Sequence, residues 1–246
     1  MRRNEGSYLK VGKLVKIAKI QLAPGRERAN AWPLQKAKLY DLATVIPLII
    51  WLTLGIAGSC LKISETSLLP ANAVVFFFQI AVSVLFLLTV IFLVIRRPPQ
   101  RKVRGLLPRL TAIAGCLLPV AMIALPRGEL PPLAKNLSSV IALLGVLASI
   151  TAVYYLGRSF SILPQARALM TDGPYRFVRH PLYLAEFVLL FGSAWEVDQP
   201  WPLIVLVAAI VIQLTRMRFE EQVLSEEFPA YREYAKRTAR MIPGLY

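Results

Sequence analysis

Histidine is all but missing from this 246-residue chain: there is one, His180, together with only two cysteines, Cys60 and Cys116. A Cys/His zinc site needs four such ligands and a disulfide framework more than one pair, so both are excluded by counting, and no metal site is expected. Each cysteine lies inside an apolar run, where a thiol behaves as a small buried hydrophobe. Acidic residues are scarce as well, 14 against 29 Lys and Arg, and charged residues together make up 17%, whereas soluble domains carry about 25%. Gly-x-Gly occurs nowhere, which removes the glycine-rich phosphate loop of dinucleotide-binding folds. What is abundant is apolar, at 56% of residues. That excludes a disordered chain and, with so little charge, speaks against a soluble enzyme. The net charge of +15 then reads as loops facing anionic lipid, not as a nucleic-acid surface. The composition is that of a membrane protein.

A hydrocarbon core of about 30 Å needs roughly 20 apolar residues in a helix. Leu42–Leu61, Ala71–Ile95, Leu106–Leu125 and Leu137–Leu156 meet that length. A fifth apolar region, Leu182–Leu214, is broken by Glu196-Val197-Asp198-Gln199-Pro200-Trp201-Pro202, a turn between two antiparallel arms of about 15 residues, or roughly 22 Å each. The expected fold is therefore all-α: a polytopic membrane protein with about six transmembrane helices, the last two a short hairpin. Lys and Arg fall ten, six, four and six in residues 1–41, 96–109, 157–181 and 215–246, leaving three for the intervening loops. That alternation predicts cytoplasmic termini. Three regions follow: a basic segment 1–41, four helices within 42–156, and a C-terminal region 157–246 with the hairpin and a tail. Met1–Asp41 lacks the early apolar core of a cleavable signal. Tyr8–Leu22 fits either a basic amphipathic helix on the cytoplasmic leaflet or a solvated tail. No internal repeat is evident.

Two polar clusters flank the hairpin. The first is Gly173-Pro174-Tyr175-Arg176-Phe177-Val178-Arg179-His180-Pro181-Leu182-Tyr183 and the second is Arg216-Met217-Arg218-Phe219-Glu220-Glu221-Gln222-Val223-Leu224. A hairpin that crosses and returns brings both to one face. Pro181 suits the first position of a helix, where its missing N–H is not needed. The positive end of that helix, beside Arg179 and His180, favours an anion. Tyr175 and Tyr183 can stack on a flat ring or donate a hydrogen bond. Singly, each has a structural explanation: the arginines as topology determinants, His180 as a cap, the tyrosines as an interfacial belt. Packed into eleven residues around the only histidine, they point to function. Arg216 and Glu220 stand at i, i+4 and share a helix face, while Glu221, Glu226 and Glu227 are read as pointing elsewhere. Arg216 would grip an anionic substrate and Glu220 receive a cationic or hydroxyl-bearing ligand; an exposed ion pair is the alternative. Glu186, an acid within the fifth apolar region, either faces a cavity or lies at headgroup depth.

At these clusters the chain resembles the isoprenylcysteine carboxyl methyltransferase family of integral-membrane methyltransferases. The resemblance is carried by Gly173-Pro174-Tyr175, by Arg179-His180-Pro181-Leu182-Tyr183, and by Glu220-Glu221 followed by Leu224. A tail with Phe228, Tyr231 and Tyr234, ending near Arg240-Met241-Ile242-Pro243, is similar too. It spans roughly residues 154–243; the earlier helices match only as apolar segments. The resemblance implies S-adenosylmethionine as cofactor, with Tyr175, Arg179, His180, Pro181, Leu182, Tyr183 and Glu220 at its pocket and Leu169 and Met170 just upstream. It places Arg216 on the substrate side, so that Arg216 and Glu220 are the expected catalytic pair. Pro229 and Ala185 depart from a glycine common in relatives.

A prenylcysteine-like or isoprenoid acid suits this sparse inventory. Its carboxylate is already ionised and nucleophilic, so methyl transfer needs positioning and not a general base. N-methylation of a phospholipid or other amine is the neighbouring alternative and would need a neutral amine. A sterol-type NADPH-dependent reductase shares an Arg-His-Pro-x-Tyr stretch, but Glu-Glu-x-x-Leu argues against it; a non-catalytic scaffold is the third class. The expected partners are a lipophilic small-molecule or prenylated substrate and anionic inner-leaflet lipid, with no nucleic acid. The expected location is the inner membrane of a prokaryote or the endoplasmic reticulum of a eukaryote, with the site facing the cytoplasm.

Overall fold

Residues 38–66 and 73–244 are described by a computed structural model. The Tyr8–Leu22 segment lies outside the described residues. Each long apolar run becomes a helix: α1 Ile46–Glu65, α2 Ala73–Ile95, α3 Leu107–Ala124 and α4 Pro132–Leu156. They are followed by α5 Pro181–Ala194, α6 Trp201–Glu227 and a short α7 Tyr231–Arg237. Four of them, α1, α2, α4 with its continuation to Ser159, and α6, are long and apolar enough to cross a bilayer. The chain is thus a polytopic all-α membrane protein.

Proline places several helix starts. α1 has Pro47 in its first turn, and a turn at Thr44 and Val45 delays it four residues beyond the start of its apolar run. α3, α4, α5 and α6 likewise carry proline at their first or second position, where no intrahelical N–H is lost. The closing hairpin is asymmetric. Its first arm has 14 residues, as expected, but its second runs for 27 because the helix continues past Leu214 through the polar stretch to Glu227. Cys60 is exposed on α1 and Cys116 half-buried on α3, so the reading of both as buried hydrophobes fails at Cys60.

The alternating path brings the basic segments 96–109, 157–181 and 215–246 together at one end. β1 Arg101–Lys102 pairs antiparallel with β2 Gln165–Ala166, and Arg101 reaches Glu226 and Glu227 at the end of α6, each at 3.1 Å. Beside it Asp41 is buried with Arg96 and Arg167, at 2.9 Å from each. This trio ties the chain before α1, the end of α2 and the residue after β2. At the other end Arg127 and Val197 form a bridge between the α3–α4 and α5–α6 turns.

α5 is held mainly by α4, and the contact works because small residues line it. A Cβ on Gly145 would lie 2.4 Å from the Leu189 nitrogen, and one on Gly192 would lie 2.5 Å from the Ala142 nitrogen. Ser138 Oγ donates to the Gly192 carbonyl at 2.8 Å. Backbones this close replace the hydrophobic drive that lipid does not supply. Gly145→Ala should therefore cost about 1–3 kcal/mol through overpacking, read as a lower thermal midpoint in detergent. Gly58→Ala, where a Cβ would meet nothing within 4 Å, should leave the midpoint level or raise it; equal behaviour of the two variants would refute the close-packing account.

Candidate functional site

The site forms where α5 begins and α6 leaves its apolar stretch. Gly173 opens it with φ +58, and the Tyr155 ring lies so close that a Cβ at 173 would stand 2.3 Å from it. Only glycine meets both demands. A 3-10 turn, Gly173–Arg176, buries Tyr175, whose carbonyl accepts a 2.6 Å bond from the Tyr234 hydroxyl on α7. Burial, with the Glu220 charge nearby, holds the Tyr175 hydroxyl well above the ordinary tyrosine pKa, and burial pushes Tyr234 up to about 12. Both remain protonated donors at neutral pH.

The chain then runs alongside its own C-terminal segment. Arg179 N–H donates to the Ala239 carbonyl at 2.8 Å and His180 N–H to the Arg240 carbonyl at 2.9 Å. Pro181 follows as the first residue of α5, buried, with His180 at the cap position but making no side-chain cap bond. The imidazole instead faces both acids of the second cluster. Its Nε2 lies 3.2 Å from Glu221 Oε1 and its Nδ1 lies 3.8 Å from Glu220 Oε2. Three residues on, the Tyr183 ring stacks with His180 at 5.5 Å between centroids, its hydroxyl donates to Glu220, and the Arg216 guanidinium sits 4.9 Å from its ring centroid. Met217 and Met241 pack with Tyr183 as an apolar floor.

Glu221 does not point elsewhere. It is the most heavily engaged acid of the site, 3.0 Å from Arg179 and held by Arg240 through bonds of 2.7 and 3.0 Å. Adjacent helix positions differ by 100°, and the two acids are spanned by His180, which faces both, while Arg240 of the C-terminal segment reaches Glu221. Arg216 and Glu220 share a face as their spacing requires, yet no ion pair joins them. Arg216 is 6% exposed, donates from Nη1 to Gln213 at 3.0 Å and from Nη2 to the Ile162 carbonyl at 3.3 Å, and leaves its buried Nε unpartnered. Glu186 accepts from Gln213, which turns the intramembrane acid toward protein.

Tyr175, Arg179, His180, Pro181, Tyr183, Arg216 and Glu220 are thus gathered within one neighbourhood. Leu182 is not, since it packs into the α1–α2–α4 core with Val153 and Phe160. Leu169 and Met170 are half-buried in the segment between β2 and the 3-10 turn. Pro229 is exposed in the turn after α6, and Ala185 is buried on α5. Two participants carried no local signal: Gln213, which reads as one polar residue in an apolar arm, and Gly115, which faces Arg216; Arg240 falls in the similar tail but has no assigned role there, lying nineteen residues beyond its partner.

A helical membrane protein with a charged site across the ends of its last two long helices is the class that fold and site define. Within it, residues 134–231 match the family model described as phospholipid methyltransferase; both polar clusters fall inside that stretch. Two curated relatives match over 95 residues, 38% of this chain. They are the nickel-cobalt-cadmium resistance protein NccN of Alcaligenes xylosoxydans xylosoxydans, 33% identical, and the cobalt-zinc-cadmium resistance protein CzcN of Cupriavidus metallidurans, 32% identical. The matched stretch covers 42% and 41% of those relatives. The solved structure of the eukaryotic intramembrane Ras methyltransferase ICMT overlays on 96% of this chain and 92% of its own, with a TM-score of 0.46 and 17% identity.

Glu221 is 11% exposed at its side chain, and removing one partner of a buried ion pair costs about 3–5 kcal/mol. Glu221→Gln should accordingly lower the thermal midpoint sharply and open residues 238–244 to protease. Arg101→Ala, at the exposed pairs with Glu226 and Glu227, should do neither. A Glu221→Gln protein as stable and protease-resistant as Arg101→Ala would show that the acid does not hold the segment.

Proposed function

We propose that the protein transfers a methyl group from S-adenosylmethionine to a lipophilic acceptor bearing a carboxylate, such as a prenylcysteine-like or isoprenoid acid, with the site on the cytoplasmic face. One observation carries the choice of acceptor: Arg216 is buried with an unpartnered Nε and no ion pair to any described carboxylate. Glu186 and Glu220 balance its charge without touching it, so what the site lacks is a direct partner for the buried Nε, which an acceptor carboxylate would supply. The basic segments 96–109, 157–181 and 215–246, which meet at this end of the bundle, support the cytoplasmic placement.

The chemistry of the donor set fits the cofactor. S-adenosylmethionine would supply a methyl group activated by a sulfonium centre. Arg179 also keeps a buried, unpartnered Nε, so two guanidiniums of the cluster have donors to spare, one for a carboxylate of the cofactor's amino acid end and one for that of the acceptor. Glu220, His180, Tyr183 and Tyr175 would hold the cofactor, Glu220 facing its positive charge, with Pro181, Leu169 and Met170 as lining. Arg216 orients the acceptor oxygen, and the Tyr183–Met217–Met241 floor excludes water. No proton has to move, because a carboxylate attacks in its ionised form. This is catalysis by positioning and desolvation.

A phospholipid amine is the second reading, favoured by the description of the matched family and by the two acids, Glu186 and Glu220, near Arg216. Membranes containing the protein, given S-adenosylmethionine tritiated in the methyl group, separate the two. Farnesylated N-acetylcysteine or palmitic acid should yield label released as methanol in alkali, whereas base-stable label on phosphatidylethanolamine vesicles alone would replace the carboxylate reading. Binding of NADPH but not of S-adenosylmethionine in calorimetry would overturn both.

The roles of the two basic residues should divide. Losing one partner of a buried, hydrogen-bonded charge contact costs about 2–5 kcal/mol, so Arg216→Ala should lower kcat/KM about 30-fold or more with cofactor affinity little changed. His180→Ala should weaken the cofactor directly. Equal losses of cofactor affinity in the two variants would contradict this division. Arg216→Lys should rescue poorly, since an ammonium offers only a point charge.

A further inference from the structure

Arg216 is held in one direction by neighbours on α3 and α6 and by the Ile162 carbonyl. Gln213 lies one turn before it on α6, 2% exposed, with both ends of its amide engaged. Its Nε2 donates to Glu186 on α5, and its Oε1 accepts from Arg216 Nη1 at 3.0 Å. Reversing the amide would set donor against donor at Arg216, so these contacts fix it. From the third side α3 supplies space. A Cβ on Gly115 would lie 2.5 Å from Arg216 Nη1 and 3.2 Å from its Cδ. With Nη2 on the Ile162 carbonyl, two of the five guanidinium donors are used and Nε is left over.

We propose that Gln213 is a positioning residue that, anchored by Glu186 and given room by Gly115, turns the Arg216 guanidinium so that its free donors meet the acceptor's anionic group. This rests on the reading of Arg216 as the acceptor's grip. Glu186 is then an anchor and neither a base nor a metal ligand. The polar residue and the glycine, each unremarkable in an apolar helix, set which acids the site accepts.

The test is made on the full chain in nanodiscs, with farnesylated N-acetylcysteine as acceptor and S-adenosylmethionine affinity measured separately by calorimetry. Gln213→Leu should raise the acceptor KM at least tenfold, change kcat less than threefold and leave cofactor affinity within twofold. Gln213→Glu should raise KM as much or more, because a carboxylate there neutralises Arg216 in place of the acceptor. Glu186→Gln, which keeps an acceptor for Gln213, should restore most of what Glu186→Leu loses. A folded Gln213→Leu with unchanged KM, or with cofactor affinity falling by the same factor as KM rises, overturns the proposal. If Gln213→Leu does not fold, Gln213→Glu and the Glu186 pair decide by the same criteria. Arg216→Ala run in parallel separates the two failures. An unmoved acceptor KM there ends the carboxylate reading and this proposal together, whereas a raised KM with silent Gln213 and Glu186 variants ends this proposal alone.

Discussion

The Glu221 carboxylate is where three separate stretches of chain become one site. Arg179 and His180 come from the lead into α5, Arg240 comes from the C-terminal segment, and the acid itself rides on α6. Of these, only α6 is long and apolar enough to cross a bilayer; the lead into α5 and the C-terminal segment must be held to it by other means. A nearly buried acid surrounded by two guanidiniums and an imidazole supplies the missing hold, and the main-chain bonds from 179 and 180 to 239 and 240 set the register. Glu220, one residue earlier, is thereby relieved of structural duty. Among the described residues it accepts a hydrogen bond only from the Tyr183 hydroxyl, with His180 Nδ1 at 3.8 Å, and so keeps capacity for a ligand. The pair of adjacent acids divides into one that builds and one that is free to bind.

Apolar runs and proline positions make the membrane helices legible because both act locally. A run long enough to span has few other fates, and a proline at a helix start disturbs nothing. The meeting of the two polar clusters is legible for a topological reason: a hairpin must return to the end from which it left. Hydropathy fails at the C-terminal half of α6, since it measures what lipid tolerates and not where a helix stops. Arg216–Glu227 is mostly polar, yet it remains helical because the sequence there contains good helix formers and tertiary partners for most turns.

The details that decide function are those with no periodic or compositional mark. Glu221 looks like the outward neighbour of Glu220 until the C-terminal segment is known to pass beside it. Leu182 stands in the middle of a conspicuous motif but belongs to the helix core. Gly115 and Gln213 are visible only as one small and one polar residue in apolar surroundings, and their meaning depends on α3 and α6 being neighbours. Contacts across helices are where a chain read in order carries least information.

The unequal arms of the closing hairpin bear on how a lipid reaches the site. Fourteen helical residues rise about 21 Å, well short of a 30 Å hydrocarbon layer. The turn end of α5 carries Trp195 and, at the start of α6, Trp201, both exposed, and tryptophans of this kind settle at the headgroup level. A helix this short fits a full bilayer only where the bilayer thins around it, so with that end pinned the start of α5 would lie below the level reached by the longer helices. Under the proposed function, a long-tailed acid would then enter sideways from its own leaflet with its chain never leaving oil, while the water-borne donor would approach from the opposite, polar side.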